Sequence, residues 1–160
     1  MRWFYTIHHI TIYFQSHFIL FNMLLIRSLN YMNFSFDESN QIFVITWHQA
    51  SGDISPEEYK NSALVFKEVY SGFKGKHILH DMRNFQYIIT PKEQEWIAEE
   101  IMADLVANYN LRRMAFILPE DLFAQTSTEQ VSEEIKEAAD DVFKSNFFDD
   151  PVKGLEWLLD

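Results

Sequence analysis

The chain has 160 residues and a formal net charge of −11, with 48% hydrophobic, 16% aromatic and 23% charged side chains, four Gly, four Pro and no Cys. Such a composition excludes disordered, collagen-like and low-complexity classes, and the length suits one domain with a full core rather than two. The lack of Cys removes a disulfide scaffold, a thiol nucleophile, a Cys-ligated zinc and an iron–sulfur cluster, while the acidic balance argues against nucleic acid, whose phosphates need clustered Lys and Arg.

The charge is unevenly spread. All 24 acidic residues lie from Asp37 onward, and residues 1–32 contain no Asp, Glu, Gly, Ala or Pro. Arg2 and Arg27 give this first part +2, and the 11 remaining cations against 24 acids leave −13 for the rest. Residues 3–26 lack full charges over a span long enough for a membrane helix. His8, His9, Gln15, Ser16, His17 and Asn22 interrupt that span with groups costly to bury in hydrocarbon. A signal peptide fits no better, because the apolar run is fragmented and no small-residue cleavage pattern follows. Residues 1–32 are best read as an apolar N-terminal extension, non-native or disordered, ahead of a membrane or interfacial anchor, with a genuine domain element the least favoured of the three. The domain is expected over residues 33–160.

From Asn33 the pattern NFSFD, a turn at Glu38, Ser39 and Asn40, and QIFVITW predict a β-hairpin. In the second run Ile42 and Val44 alternate with Phe43, Ile45 and Trp47, so both faces of that strand are expected to be covered. Ser55 before Pro56 suits an N-cap followed by a first-turn proline. Tyr59, Ala63, Phe66, Tyr70 and Phe73 then define one helix face, and Gly72 with Gly75 marks its end. HILHDM (77–82) predicts a strand. Thr90, Pro91 and Glu93 supply an N-cap, a first-turn proline and a capping-box acid for a helix carrying Ile97, Ile101 and Leu105 inward. RRMAFILP (112–119) predicts a buried central strand, followed by a helix with Val131, Ile135, Ala138 and Val142 inward. KSNFFDD gives a final strand, and Asp150 with Pro151 starts a last helix presenting Val152, Leu155 and Leu158 or Leu159. The order β-β-α-β-α-β-α-β-α implies a single-domain α/β fold with a mixed, mainly parallel sheet packed with helices.

Few residues suggest chemistry. His77 and His80 point to opposite faces of a strand, so they cannot share one metal ion with Asp81, and no metal site is expected. Asp81, Arg83 and Asn84 lie at the C-terminal end of their strand, where open α/β sheets usually place ligands. The plainer expectation is that Asp81 takes loop amides or pairs with Arg83. His48 and Asp53 follow the preceding strand and could join Asp81 in a polar cluster. Phosphate-loop signatures are missing, and four scattered Gly residues cannot build one, so no nucleotide or other cofactor is expected. Thr90 is a helix cap first and a phosphoacceptor second. Phe85 and Tyr87, in the loop before Thr90, suggest an apolar pocket or partner surface beside the general reading of a bulky aromatic core.

Five segments carry a family resemblance in the right order: the strand ending in Trp47, HILHDMRN, TPKEQEW with Thr90 and Trp96, RRMAFILPEDLF and FFDDPVKGLEWLL. Together they resemble small stand-alone bacterial STAS domains of the SpoIIAA-like group, over residues 33–160. That resemblance implies a binding or regulatory module rather than an enzyme; related architectures serve anti-sigma-factor antagonists, transporter regulatory domains and CRAL-TRIO lipid carriers. Antagonists that switch by phosphorylation carry an Asp-Ser-small-Gly type motif at the helix start, whereas this chain has ITPKEQ. Thr90 is the nearest positional match.

The leading expectation is a cytoplasmic regulatory or protein-interaction domain, acting through Asp81, Arg83, Asn84, Phe85, Tyr87, Thr90 and Trp96, with His48 nearby. A carrier or sensor of a small apolar, lipid-like ligand is the alternative. An enzyme using His48 and Asp81 as an acid–base pair ranks third. A protein partner is expected and a homodimer is open. Nucleic acid is not expected, and membrane contact follows only if residues 1–32 are genuine.

Overall fold

The computed structural model describes residues 9–10, 23–73, 75–118 and 142–160. These form a seven-stranded sheet whose strands lie side by side in chain order: β1 (His9–Ile10), β2 (Met23–Ser28), β3 (Met32–Asp37), β4 (Ile42–Trp47), β5 (His77–Asp81), β6 (Arg113–Ile117) and β7 (Lys144–Phe148). Neighbours from β1 to β4 pair antiparallel, and neighbours from β4 to β7 pair parallel. The α/β class expected from the alternation of strand and helix signals is present, with an antiparallel half larger than one edge hairpin.

That enlargement comes from the segment read as an extension. Met23–Ser28 pairs with β3 from Met23↔Asp37 to Ser28↔Asn33, with a bulge between Leu25 and Arg27. The sheet therefore begins before the expected boundary at Asn33. A tight turn explains it: the Leu29 N–H donates to the Met32 carbonyl at 2.8 Å and folds β2 back along β3. Met23 is buried, and Tyr31 stacks on Trp47 with ring centroids 6.2 Å apart. His9 and Ile10 pair in turn with Leu24 and Met23. The other residues of 1–22 lie outside the described residues.

Helix α1 (Pro56–Gly72) starts as its cap signals predict. The Glu58 N–H donates to Ser55 Oγ at 3.2 Å, and the Ser55 N–H returns a bond to Glu58 Oε2 at 2.7 Å. The second helical run is continuous but uneven: α2 (Pro91–Trp96), a π-helical turn (Ile97–Met102) and α3 (Ala103–Asn108). Ile97, Ile101 and Leu105 are buried along it, as their spacing predicts. A last helix, α4 (Pro151–Leu159), is capped by Asp150, whose carboxylate accepts from the Val152 N–H at 2.7 Å. The helix expected around Val131, Ile135 and Ala138 lies outside the described residues; Val142, expected inward, is exposed.

Strand alternation divides the core into two layers. Phe43, Ile45, Trp47, Ile78 and Phe116 face α1 and the α2–α3 run. Ile42, Val44, Leu79, Ala115 and Ile117 face Leu155 and Leu158 of α4. β4 is thus covered on both faces, as its two apolar parities require. Gly154 allows the close approach of α4, because a Cβ there would sit 2.8 Å from the Ile117 δ-methyl and 3.4 Å from the Ala115 Cβ.

Candidate functional site

Asp81 ends β5 and is held by its neighbour. Arg83 Nε and Nη2 donate to the two carboxylate oxygens at 2.9 and 2.7 Å, and the Arg83 backbone N–H adds a third bond at 3.2 Å. This bidentate pair fixes the start of the loop. It also occupies the carboxylate expected to partner His48. Among the described residues no hydrogen bond links His48 to Asp81; the His48 backbone N–H donates to the Tyr31 carbonyl at 2.9 Å, and Asp53 is exposed.

From Asn84 to Thr90 burial alternates strictly: Phe85, Tyr87 and Ile89 are buried, while Asn84, Gln86, Ile88 and Thr90 face outward. Phe85 packs against Trp47 at 4.7 Å and Tyr87 stacks on Tyr59 at 4.7 Å. These two aromatics therefore belong to the core and do not form a partner surface; their rings cover the end of the sheet. Buried Ser51 anchors the segment by taking the Gln86 N–H at 3.0 Å. The exposed apolar side chain is Ile88, 64% accessible, which the sequence pattern did not single out.

Thr90 closes this segment as a cap. Its N–H and its hydroxyl both donate to Glu93 Oε2, at 2.8 and 2.7 Å, while the Tyr87 hydroxyl donates to Glu93 Oε1 at 2.8 Å. Burial would raise the Glu93 pKa, but bonds from Thr90 and Tyr87 and the nearby Lys60 charge outweigh it and hold the carboxyl below its usual range. Burial and the Glu93 bond push the Tyr87 hydroxyl up to about 12. Trp96 is half-buried, with the Lys60 ammonium 5.1 Å from its ring centroid.

A second feature lies deeper. A half-enclosed cavity of about 70 Å³ sits between the sheet, helix α1 and the π-helical turn, floored by Ile45, Trp47, His80 and Met114 and roofed by Phe66 and Ile101. The π-helical turn contributes Ile97, Ile101 and Met102 to its wall. Polar groups at the wall are mostly spent. Ser62 Oγ donates to the Tyr59 carbonyl at 2.6 Å, and Trp47 Nε1 donates to His80 Nε2 at 2.7 Å. Desolvation drives His80 down to about 3, against a smaller upward pull from Asp81, so its ring is neutral near pH 7. His80 Nδ1 is closed off from solvent and has no hydrogen-bond partner among the described residues.

The cavity lies between the sheet and a helix, where the apolar-ligand alternative expects one, and Met82 and Ile89 join it to the Asp81–Thr90 region, whereas Asp81, Arg83, Asn84, Phe85, Tyr87, Thr90, Trp96 and His48 are not among its lining residues. Ligands bind beyond strand ends in open α/β sheets at a reversal of strand order. Here β4 to β7 follow one another without reversal. Among the described residues no cluster of three metal-ligating side chains occurs. Nor is any helix among them long and apolar enough to cross a membrane.

No family model, curated protein or solved structure matches the chain.

Proposed function

We propose that the chain is a non-catalytic regulatory module of the SpoIIAA-like STAS type, which contacts a protein partner through the Asn84–Thr90 segment. The observation that carries this is the strict alternation there: three buried anchors and the Ser51 bond hold the segment rigid, so Asn84, Gln86, Ile88 and Thr90 are presented outward in a fixed order. A pre-ordered segment loses little conformational freedom on binding. Ile88 among Asn84, Gln86 and Thr90 puts an apolar centre inside a polar rim, the arrangement found on a larger scale in protein interfaces. Affinity capture from native cells should enrich a protein on the wild-type chain that Ile88→Ser loses, with an unchanged thermal midpoint. Equal capture by both chains would remove this function from the segment.

A second function, sensing or carrying a small apolar ligand, is supported by the cavity under α1 and the π-helical turn. Its wall includes Met32, Met82, Met102 and Met114, whose thioethers adapt to an occupant more readily than branched side chains. Xenon enters dry apolar cavities of this kind. Xenon-dependent shifts of these methionine methyl resonances are expected, and their absence would end the ligand reading.

A further inference from the structure

The tautomer of His80 is fixed by its neighbour. An indole N–H can only donate, so the His80 Nε2 that receives it at 2.7 Å carries no proton. A neutral imidazole then holds its proton on Nδ1, the atom without a hydrogen-bond partner among the described residues. A buried donor without an acceptor is costly, and native proteins rarely keep one. This one belongs to a ring that lines an otherwise apolar cavity.

We infer that the cavity takes a small, uncharged, largely apolar molecule with one hydrogen-bond acceptor, such as a ketone or ester oxygen, and that His80 Nδ1–H donates to it. The inference builds on the ligand-binding function above and adds the chemistry of the ligand. Nδ1 is closed off from solvent, so the occupant must displace a side chain of the wall to reach it, and the four methionines of that wall are the side chains that shift at low cost. The enclosed volume equals about two waters' share of liquid. That limits the buried part to a few heavy atoms around the acceptor, and a longer chain would extend through the open side. A carboxylate is disfavoured, because among the described residues no cation lines the wall and an unpaired charge would be desolvated there.

The test uses the full chain with ¹⁵N-labelled histidine. Long-range ¹H–¹⁵N spectra should show His80 as the Nδ1–H tautomer, and titration with 2-butanone should move the Nδ1–H resonance. 2-Methyl-1-butene, which replaces the carbonyl oxygen by CH₂, should bind up to about tenfold more weakly, the ratio of one net hydrogen bond. His80→Phe should lose the ketone preference and favour the alkene, because the carbonyl then gives up its water hydrogen bonds without gaining one. An Nε2–H tautomer, or equal binding of the pair by the wild type, overturns the inference, and the wild-type measurements decide it even if the variant does not fold. Xenon shifts separate the two levels: with xenon bound and no ketone preference, the cavity function stands and the acceptor chemistry falls; without xenon binding, both fall.

Discussion

Asp37 ends β3 with its side chain fully buried, yet three donors converge on it: the N–H groups of Ser39 and Asn40 at 3.0 and 3.2 Å and the Asn40 side-chain amide at 2.7 Å. Asp37→Ala strands these donors in the hairpin turn and is expected to lower stability by about 1–3 kcal/mol. A reduced urea midpoint at unchanged slope would show it, and an unmoved midpoint would contradict it. Thr90→Ala removes one of the bonds on Glu93 and should cost about 1 kcal/mol, read as a lower thermal midpoint. Both cap residues were legible because Ser/Thr-Pro-x-Glu spacing is a local code. The Trp47–His80 bond was not, since it joins residues 33 positions apart whose contact depends on strand register. For Phe85 and Tyr87 the sequence left core and partner surface both open, because the period-2 pattern of Asn84–Thr90 lies in a segment without regular hydrogen bonding.

Among the elements, α4 depends most on a single residue. Gly154 lies over β5 and β6, where Ile117 and Ala115 are fully buried and cannot withdraw far. Gly154→Val would drive a branched side chain into the Ile117 δ-methyl, and overpacking of this kind costs about 1–3 kcal/mol even though valine is the better helix former. Chemical denaturation measures it; a variant as stable as the wild type would show that α4 can ride outward freely. The helix itself was legible from Asp150–Pro151 and the spacing of Leu155 and Leu158, whereas its glycine reads in sequence only as a weak helix residue. β2 was hidden for the opposite reason. Its side chains are mostly half-buried on both parities, so no alternation separates Met23–Ser28 from the apolar residues before it.

For the whole molecule, acid is the expected weakness. His80 sits near pKa 3 in the fold against 6.5 when free, so between those values the unfolded chain binds the extra proton. Its contribution is complete above about pH 6.5 and is lost as pH falls toward 3. Glu93, held below 4.5, adds a loss in the same direction at the lower end. Stability should fall on acidification with a slope of up to about 1.4 kcal/mol per pH unit from His80 alone. Urea midpoints at several pH values measure this, and a midpoint flat from pH 6.5 to 4.5 would refute it. The sheet order has a kinetic side as well. β2, β3 and β4 close over turns at residues 29–31 and 38–41, whereas the parallel pairings of β4 with β5 and of β5 with β6 must first enclose a whole crossover, residues 48–76 and 82–112. Because closing long loops costs entropy before any contact rewards it, the antiparallel meander is the natural folding nucleus. Substitutions at Phe34 or Phe43 should therefore slow refolding, while those at Leu155 should mainly hasten unfolding.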